Sequence, residues 1–227
     1  KIGNKMKKGS NSFELNKLSP IVLFVYNRPW HTKKTIEALK KNDYCNQSDL
    51  IIYSDGVKTE SDRENVEIVR SYLNEIDGFR SIKIILRKEN WGLARNIIDG
   101  VTTVINEYES VIVLEDDIVT SKCFLSFMNT ALIRFCDDEE VMSISGYLYP
   151  IMIPKEYDYE LLKFYRTSSW GWATWKKEWN RVDFNLERVL TKYREKDIKT
   201  RLDRGGKDLY PMLMNQKKGK INSWAIR

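Results

Sequence analysis

The sequence is poor in the residue types that build metal centres from nitrogen and sulphur. It contains one histidine, His31, and three cysteines, and the cysteines have neither the even number of a disulfide framework nor the C-x-x-C spacing of a zinc site. Nucleophilic catalysis or metal binding by a histidine needs partner residues that this chain lacks. We therefore expect neither a disulfide scaffold nor a metal site built from cysteine or histidine.

Long apolar runs and glycine-rich phosphate loops are also missing. No stretch approaches the roughly 18 to 20 apolar residues that cross a bilayer, and the lysine-rich start has no apolar signal-peptide core, so we expect a cytoplasmic protein. The first apolar run is not followed by G-x-G-x-x-G, and G-x-x-x-x-G-K-[ST] does not occur. These absences argue against a Rossmann dinucleotide site and a P-loop.

The net charge of +6 is concentrated at one end of the chain. Lys1, Lys5, Lys7 and Lys8 lie among ten residues without an acid, which leaves a net charge of +2 for the rest. So small a charge does not suit a surface that follows nucleic-acid phosphates, and we expect no nucleic-acid partner. We predict that residues 1–12 form a flexible basic tail, for which peripheral contact with the anionic inner face of a membrane is an alternative role.

The remaining composition, 42% hydrophobic and 31% charged, is typical of a globular domain. Four short apolar runs rich in β-branched residues predict buried strands at residues 21–26, 50–53, 82–86 and 111–114. Segments with helical spacing connect these runs, and Ser61 and Glu64 have the S-x-x-E spacing of a helix cap. The alternation predicts an α/β fold, Rossmann-like, with a mostly parallel central sheet and helices on both faces.

Polar residues follow all four runs, at the carboxyl ends of strands where open parallel sheets bind ligands. The last run is followed by Glu115, Asp116 and Asp117, whose like charges repel one another unless a cation screens them. Mg²⁺ or Mn²⁺ prefers carboxylate and phosphate oxygens and would supply that positive charge. The alternative is that these acids interact with the dipole of a helix that we predict to begin near Ser121. A further strand is predicted over residues 141–147.

Four stretches of the sequence carry a resemblance to a known group of enzymes. They are IVLFVYNRP at 21–29, SDG at 54–56, VIVLEDD at 111–117 and YRTSSWGW at 165–172. In this order they resemble the nucleotide-sugar glycosyltransferases with the GT-A fold, in particular N-acetylglucosaminyltransferase I and the bacterial sugar transferases similar to it. The resemblance implies one GT-A domain over residues 13–227, with a nucleotide-binding half at about 20–120 and an acceptor-side half at about 121–227. Such relatives continue past Arg227, so we expect acceptor-binding elements to be missing.

The resemblance also implies a function. It implies a metal-dependent, inverting enzyme that moves a hexosyl or N-acetylhexosaminyl group from a UDP-sugar to a saccharide or lipid-linked saccharide acceptor in surface polysaccharide synthesis. In enzymes of this kind the last acid of the triplet binds the metal, which places Mn²⁺ or Mg²⁺ on Asp117. Glu115 and Asp116 would then flank the ribose and the sugar.

Four further nucleotide-sugar contacts are implied in the same way. Asn27 and Arg28 follow the first strand and would contact the nucleotide. Asp55 would accept a hydrogen bond from uracil, for which a carboxylate is a suitable acceptor. Arg95 would lie beside the diphosphate, although a surface arginine in the first turn of a helix explains it equally well.

The second half supplies the candidates for sugar binding and for catalysis. Aromatic rings stack well on sugar faces, so we predict that Trp170, Gly171 and Trp172 line the site, while Trp175 and Trp179 are buried on a helix. The family's catalytic base is an Asp downstream of this segment. The resemblance therefore suggests Asp208 as general base, with Asp203 in reserve, although the family's paired acids are absent here.

Two other functions remain open at this stage. A sugar-nucleotide nucleotidyltransferase would share the sheet and the acidic metal site, but it needs a glycine-rich loop where this chain has NRPW at 27–30. A non-catalytic carbohydrate-binding protein would use the tryptophans without needing Asp55 or Asp117.

Overall fold

A six-stranded sheet forms the centre of the protein in a computed structural model, which describes residues 18–226. The strands are β1 (Ile21–Val25), β2 (Asp49–Ser54), β3 (Ser81–Leu86), β4 (Ser110–Glu115), β5 (Ile144–Ser145) and β6 (Trp172–Trp175). They lie in the order β3-β2-β1-β4-β6-β5. Strands β1 to β4 run parallel, and β6 is antiparallel to both of its neighbours. The predicted α/β fold with a mostly parallel sheet is confirmed.

Helices cover both faces of this sheet. They are α1 (Pro29–Lys40), α2 (Arg63–Leu73), α3 (Leu93–Tyr108), α4 (Phe124–Arg134), α5 (Lys176–Trp179), α6 (Leu186–Lys192), α7 (Glu195–Asp203) and α8 (Leu209–Lys217). Within residues 18–226, none of them combines the length and the apolar composition of a membrane span. The basic tail predicted over residues 1–12 lies outside the described residues, so its membrane contact stays a prediction.

The core has two layers, one on each side of the sheet. All residues of β1 are buried, as expected for a strand covered by helices on both faces. One layer packs Ile36 of α1, Leu73 of α2 and Leu125 of α4 against the sheet, and the other packs Ile97 and Val101 of α3. Because β1 and β4 lie at the centre, the loops that follow them meet in the middle of the sheet's carboxyl edge.

The chain between β5 and β6 is long and irregular. The strand predicted over 141–147 is reduced to the two residues of β5, and residues 146–171 form neither helix nor strand. The two ends of this segment meet where the Gly146 N–H donates to the Gly171 carbonyl at 2.8 Å. Gly171 has a left-handed φ of +67°, and a Cβ there would press against the ring of Phe124.

Two expectations about the second half need correction. Helix α4 begins at Phe124 and not at Ser121, whose carbonyl accepts the Phe124 N–H in a preceding turn. Trp175 is the last residue of β6 and is not helical, because its backbone pairs with Ser110 at the start of β4. Trp179 is buried on the short helix α5, as predicted.

The cap before α2 forms two residues earlier than predicted. Thr59 and Asp62 make the reciprocal side-chain and backbone hydrogen bonds of a capping box, and Ser61 and Glu64 do not form this box. The Asp62 carboxylate also accepts a hydrogen bond from the hydroxyl of Tyr26 at 3.0 Å. A tertiary contact with the loop after β1 therefore favours Asp62 over its neighbours.

We expect Gly56→Ala to destabilise the fold, because a Cβ at this position would overlap the backbone of Glu89 in the loop after β3. A backbone cannot rotate away from such a contact, so the free energy of unfolding should fall by about 1–3 kcal/mol. Thermal unfolding should show a melting temperature that is lower by roughly 2–4 °C for each kcal/mol. Lys58→Ala, an exposed change in the same loop, is the control. Equal melting temperatures for the two variants would contradict the prediction.

Candidate active site

Strand β4 brings three carboxyl groups to the carboxyl edge of the sheet. Burial, with the charges of Asp117 and Asp116, raises the pKa of Glu115 to about 7. Asp116 is 3% exposed and accepts the Tyr26 N–H at 3.2 Å, and burial raises the pKa of its carboxyl group. Asp117 is exposed. The triplet therefore consists of two sheltered carboxyl groups and one that solvent and ligands can reach.

Arg28, directly before α1, lies against these acids. Its Nη1 donates to Asp117 Oδ2 at 2.8 Å, and its Nε lies 3.5 Å from Asp116 Oδ1. Burial lowers the pKa of Arg28, but the attraction of Asp116 and Asp117 outweighs this effect and raises it. The contact follows from the topology, because β1 and β4 are parallel neighbours and their carboxyl ends adjoin.

Asn27, the other candidate after β1, faces a different loop. Its Nδ2 donates to Asp62 Oδ1 at 2.6 Å, while the Tyr26 hydroxyl donates to the other oxygen of the same carboxylate. These bonds tie the loop after β1 to the turn before α2. In this structure Asn27 therefore orders the loop that carries Arg28.

Asp55 follows β2 and is 5% exposed. Its Oδ1 accepts the N–H groups of Gly56 and Trp91 at 2.9 and 2.8 Å. Its Oδ2 accepts the Gly92 N–H at 2.9 Å and the Asn90 side-chain amide at 3.1 Å. Two carboxylate oxygens offer about four acceptor sites in all. Asp55 therefore fixes the loop after β3, and its acceptor sites are filled by the protein.

Arg70 on α2 reinforces the same loops. It donates to the Ser54 hydroxyl at 3.2 Å, to the Asp55 carbonyl at 3.0 Å and to the Arg87 carbonyl at 2.7 Å. One guanidinium thus ties together the ends of β2 and β3. The sequence analysis missed Arg70, which is one of several basic residues on helices and has no local signal that distinguishes it.

Arg95, at the start of α3, stacks on Trp91. Its guanidinium carbon lies 3.9 Å from the centroid of the indole ring, and that of Arg87 lies 3.7 Å from the same centroid. Two cations this close to one ring cover its opposite faces. Arg87 is also held by Asp99 of α3. The sequence analysis did not assign Trp91 or Arg87, although Arg87 occupies the informative position directly after β3.

A pocket of about 400 Å³ opens beside Asp117. It lies between residues 117–121 of the loop after β4 and the segment that carries Gly146, Tyr147 and Trp170. The rings of Tyr147 and Trp170 are tilted against each other with centroids 4.5 Å apart, and Trp170 is 53% exposed. The pocket therefore combines a reachable carboxylate with open aromatic surface.

Trp170, Gly171 and Trp172, the three residues predicted to line the site, have different surroundings. Trp170 lines this pocket, whereas Trp172 is buried and stacks on Trp179 and Trp224 with centroid distances of 5.8 and 4.8 Å. Gly171, between the two tryptophans, lies in a bend with a left-handed φ of +67°. Trp172 is a core residue, and Gly171 allows the bend that precedes it.

The two candidate bases lie outside the lining of this pocket. Asp208, directly before α8, forms a bidentate pair with Arg166 at 2.8 and 2.9 Å, which lowers the pKa of Asp208. Arg166 in turn lies over the ring of Tyr149, which contacts Tyr147 of the pocket. Asp203 ends α7 and is exposed. Asp208 is thus connected to the pocket through two intervening side chains and the ring of Tyr147.

The donor chemistry of the acidic triplet fits a hard divalent cation. Within residues 18–226, no three His, Cys, Asp or Glu side chains form a complete metal cage. Mg²⁺ does not need such a cage, because it usually binds one or two carboxylates and completes its shell with water and substrate phosphate. Mn²⁺ shares this preference for oxygen ligands. The exposed Asp117, with Asp116 beside it, offers such a partial shell.

Comparison with solved structures gives remote matches. A mannosyltransferase, PcManGT from Pyrobaculum calidifontis in complex with GDP-Man and Mn²⁺, has a TM-score of 0.44 and 13% identity over 77% of this chain and 47% of its own. S. aureus TarS 1–349 in complex with UDP has a TM-score of 0.38 and 16% identity over 60% of this chain and 38% of its own. The chain thus spans less than half the length of these structures.

Comparison with sequences is more decisive. No curated protein matches the chain. Residues 21–197, well over half of the chain, match the family model described as Glycosyl transferase family 2. This range runs from the first residue of β1 into α7 and includes the acidic triplet, Arg28, Asp55 and the pocket. The chain therefore belongs to glycosyl transferase family 2.

Proposed function

We propose that this protein transfers a sugar from a UDP-sugar to a saccharide or lipid-linked saccharide acceptor in surface polysaccharide synthesis. The observation that carries the proposal is the pairing of Arg28 with Asp117 at a pocket that Trp170 also lines. A cation, a carboxylate and an aromatic ring suit a diphosphate, a metal ion and a sugar, respectively. Family membership favours this function over a nucleotidyltransferase and over a non-catalytic carbohydrate-binding protein.

The proposal divides the domain into two halves. The nucleotide half, about 20–120, contributes the loops after β1 to β4, where the candidate nucleotide contacts lie. The acceptor-side half, about 121–227, contributes Tyr147 and Trp170. The pocket supports this division, because its lining comes from both halves.

Asp117 would hold Mn²⁺ or Mg²⁺, and Glu115 and Asp116 would flank the ribose and the sugar. The bound ion would stabilise the negative charge of the departing nucleoside diphosphate. Arg28 can add hydrogen bonds to phosphate oxygens from the same edge of the sheet. Arg95 is the proposed second cation, and its place in the first turn of α3, next to the loop that Asp55 fixes, supports this role.

The uracil contact proposed for Asp55 requires one of its acceptor sites to be released. The bond from the Asn90 amide is the longest of the four, at 3.1 Å, and the same amide also donates to the Gly56 carbonyl at 2.9 Å. Asn90 therefore keeps a partner if a uracil N–H replaces it on Asp55. This second partner is what makes a direct contact to the base feasible.

The proposed general base is Asp208, with Asp203 as the alternative. A single base that deprotonates the acceptor hydroxyl, without a nucleophilic carboxylate on the other sugar face, gives inversion at the anomeric carbon. The pair with Arg166 lowers the pKa of Asp208 and occupies both of its oxygens, so Asp208 would have to leave Arg166 before it accepts a proton from the acceptor hydroxyl. The link through Arg166 and Tyr149 to the pocket supports the assignment.

Asp117→Ala should abolish the Mn²⁺-dependent part of UDP affinity and leave the fold intact, because the exposed carboxylate is lost while the buried strand is unchanged. Isothermal titration with UDP, in the presence and absence of Mn²⁺, measures the effect. The control is Glu107→Ala, which removes an exposed acid from α3. A folded Asp117→Ala protein with the Mn²⁺ dependence of the parent would refute the assignment.

Asp55→Ala should weaken UDP binding about ten-fold or more, because a hydrogen bond to a charged group contributes roughly 1.5–3 kcal/mol. Loss of the contacts that Asp55 makes to the loop after β3 would also weaken binding. CDP separates the two effects, because cytosine lacks the imide N–H that uracil would donate to Asp55. A direct contact predicts that the parent prefers UDP over CDP and that the variant loses this preference. If UDP and CDP affinities fall by the same factor, Asp55 acts only through the loop.

Asp208→Asn should lower turnover by roughly 10²–10⁴-fold with nearly unchanged UDP-sugar binding, which is the usual effect of removing a positioned base. Release of UDP from a panel of UDP-sugars, with acceptor present, measures turnover. Asp203→Asn is the matched variant, and a loss confined to it would move the role of base to Asp203. NMR of the product from an α-linked donor tests the stereochemistry, and an α product would exclude inversion.

A further inference from the structure

Arg28 is a positively charged partner of Asp117 within the protein. Arg28 donates to this carboxylate at 2.8 Å and lies 3.5 Å from that of Asp116. Across the described part of the chain, no other lysine or arginine lies within salt-bridge distance of Asp117. Part of the positive charge that a divalent ion would bring to Asp117 is therefore supplied by the protein itself.

The two aspartates depend on Arg28 to different degrees. Asp116 is also held by the Tyr26 N–H on its carboxylate and by the Thr35 hydroxyl on its carbonyl. The side chain of Asp117 is 42% exposed, against 5% for Asp116. Asp117 can therefore exchange its partner without breaking the contacts that hold the loop.

Arg28 can move its guanidinium without disturbing the helix that follows it. Its carbonyl accepts the Thr32 N–H at 2.9 Å, and Pro29 opens α1, so the backbone is fixed. Its side chain is 46% exposed and points to the edge where the phosphates of a nucleotide are expected. A change of partner is therefore a side-chain rearrangement only.

We propose that Arg28 occupies the metal-binding carboxylate of Asp117 in the free protein and releases it when a nucleoside diphosphate arrives with its metal ion. This inference rests on the proposed function of the site. A divalent ion and a guanidinium repel each other when both bind one carboxylate. An ion that arrives without a nucleotide must therefore displace Arg28 from Asp117, and it brings no new anion to which Arg28 could bind. A diphosphate supplies oxygen ligands for the ion and a partner on which the guanidinium can fork. Metal and nucleotide therefore bind cooperatively.

The test measures Mn²⁺ binding by the electron paramagnetic resonance signal of the free ion, with and without saturating UDP. We expect the wild-type protein to bind Mn²⁺ weakly alone and at least about ten-fold more tightly with UDP, within the usual range of coupling between sites. Arg28→Gln should bind Mn²⁺ alone about ten-fold more tightly than wild type and should gain much less from UDP. Arg188→Gln, which breaks the exposed pair of Arg188 on α6 with Asp183 before that helix, is the matched control and should behave as wild type.

The outcomes separate this inference from the proposed function. If wild type shows coupling but Arg28→Gln binds Mn²⁺ alone no more tightly, the role of Arg28 is overturned and the proposed function stands. If wild type shows no coupling between Mn²⁺ and UDP, this inference fails together with the metal-assisted UDP binding proposed for Asp117, while the proposed sugar transfer is tested by the release of UDP from UDP-sugars. Arg28→Lys keeps the positive charge but cannot donate two parallel hydrogen bonds to phosphate oxygens. It replaces Arg28→Gln as the test variant if Arg28→Gln does not fold. The Arg28→Lys protein should bind Mn²⁺ alone as weakly as wild type, and UDP should increase its Mn²⁺ affinity by less than in wild type. An equal increase in the two proteins would overturn the inference.

Discussion

The burial of β4 between β1 and β6 is the constraint on which the site depends. Residues 111–114 are fully buried, so the strand cannot slip along its neighbours without exposing apolar side chains. The chain must then continue into Glu115, Asp116 and Asp117 at the carboxyl edge, where burial and neighbouring negative charge raise the pKa of Glu115 and of Asp116. Arg28, at the end of the neighbouring strand, offsets this negative charge. The burial of β4 therefore determines both the packing of the core and the position of the charged groups in the site.

The loops after β2 and β3 form a second, closely tied unit beside the acids. Asp55 accepts hydrogen bonds from the later loop, Arg70 donates to carbonyls at the ends of both strands, and Gly56 lies against the backbone of Glu89. Trp91 completes this unit between the guanidinium groups of Arg87 and Arg95. Because these contacts are made between groups of the protein itself, a bound nucleotide would order few additional groups, which favours affinity.

The sequence predicted those features that depend on short local patterns. The four parallel strands were placed to within about a residue, because β-branched runs are a local signal, and their order along the chain brought the loops with Arg28, Asp55 and Asp117 to one edge. Contacts between distant segments were not predictable. The pair of Arg166 with Asp208 joins residues that are 42 positions apart. The burial of Trp172 against Trp179 and Trp224 was also not predictable, since a cluster of tryptophans does not show which of its rings lie in the core.

The hydrogen bond between Gly146 and Gly171 has a consequence for how such a protein can diversify. It joins the two ends of the segment between β5 and β6, so a longer or shorter segment could be connected to the sheet at the same point. The entropy of closing a loop grows slowly, by about 0.6 kcal/mol for each doubling of length. Residues 147–170 can therefore differ in length at a small entropic cost, and such a change would reshape one wall of the pocket and the surroundings of Arg166 and Asp208, while the strands, the acidic triplet and Arg28 keep their places.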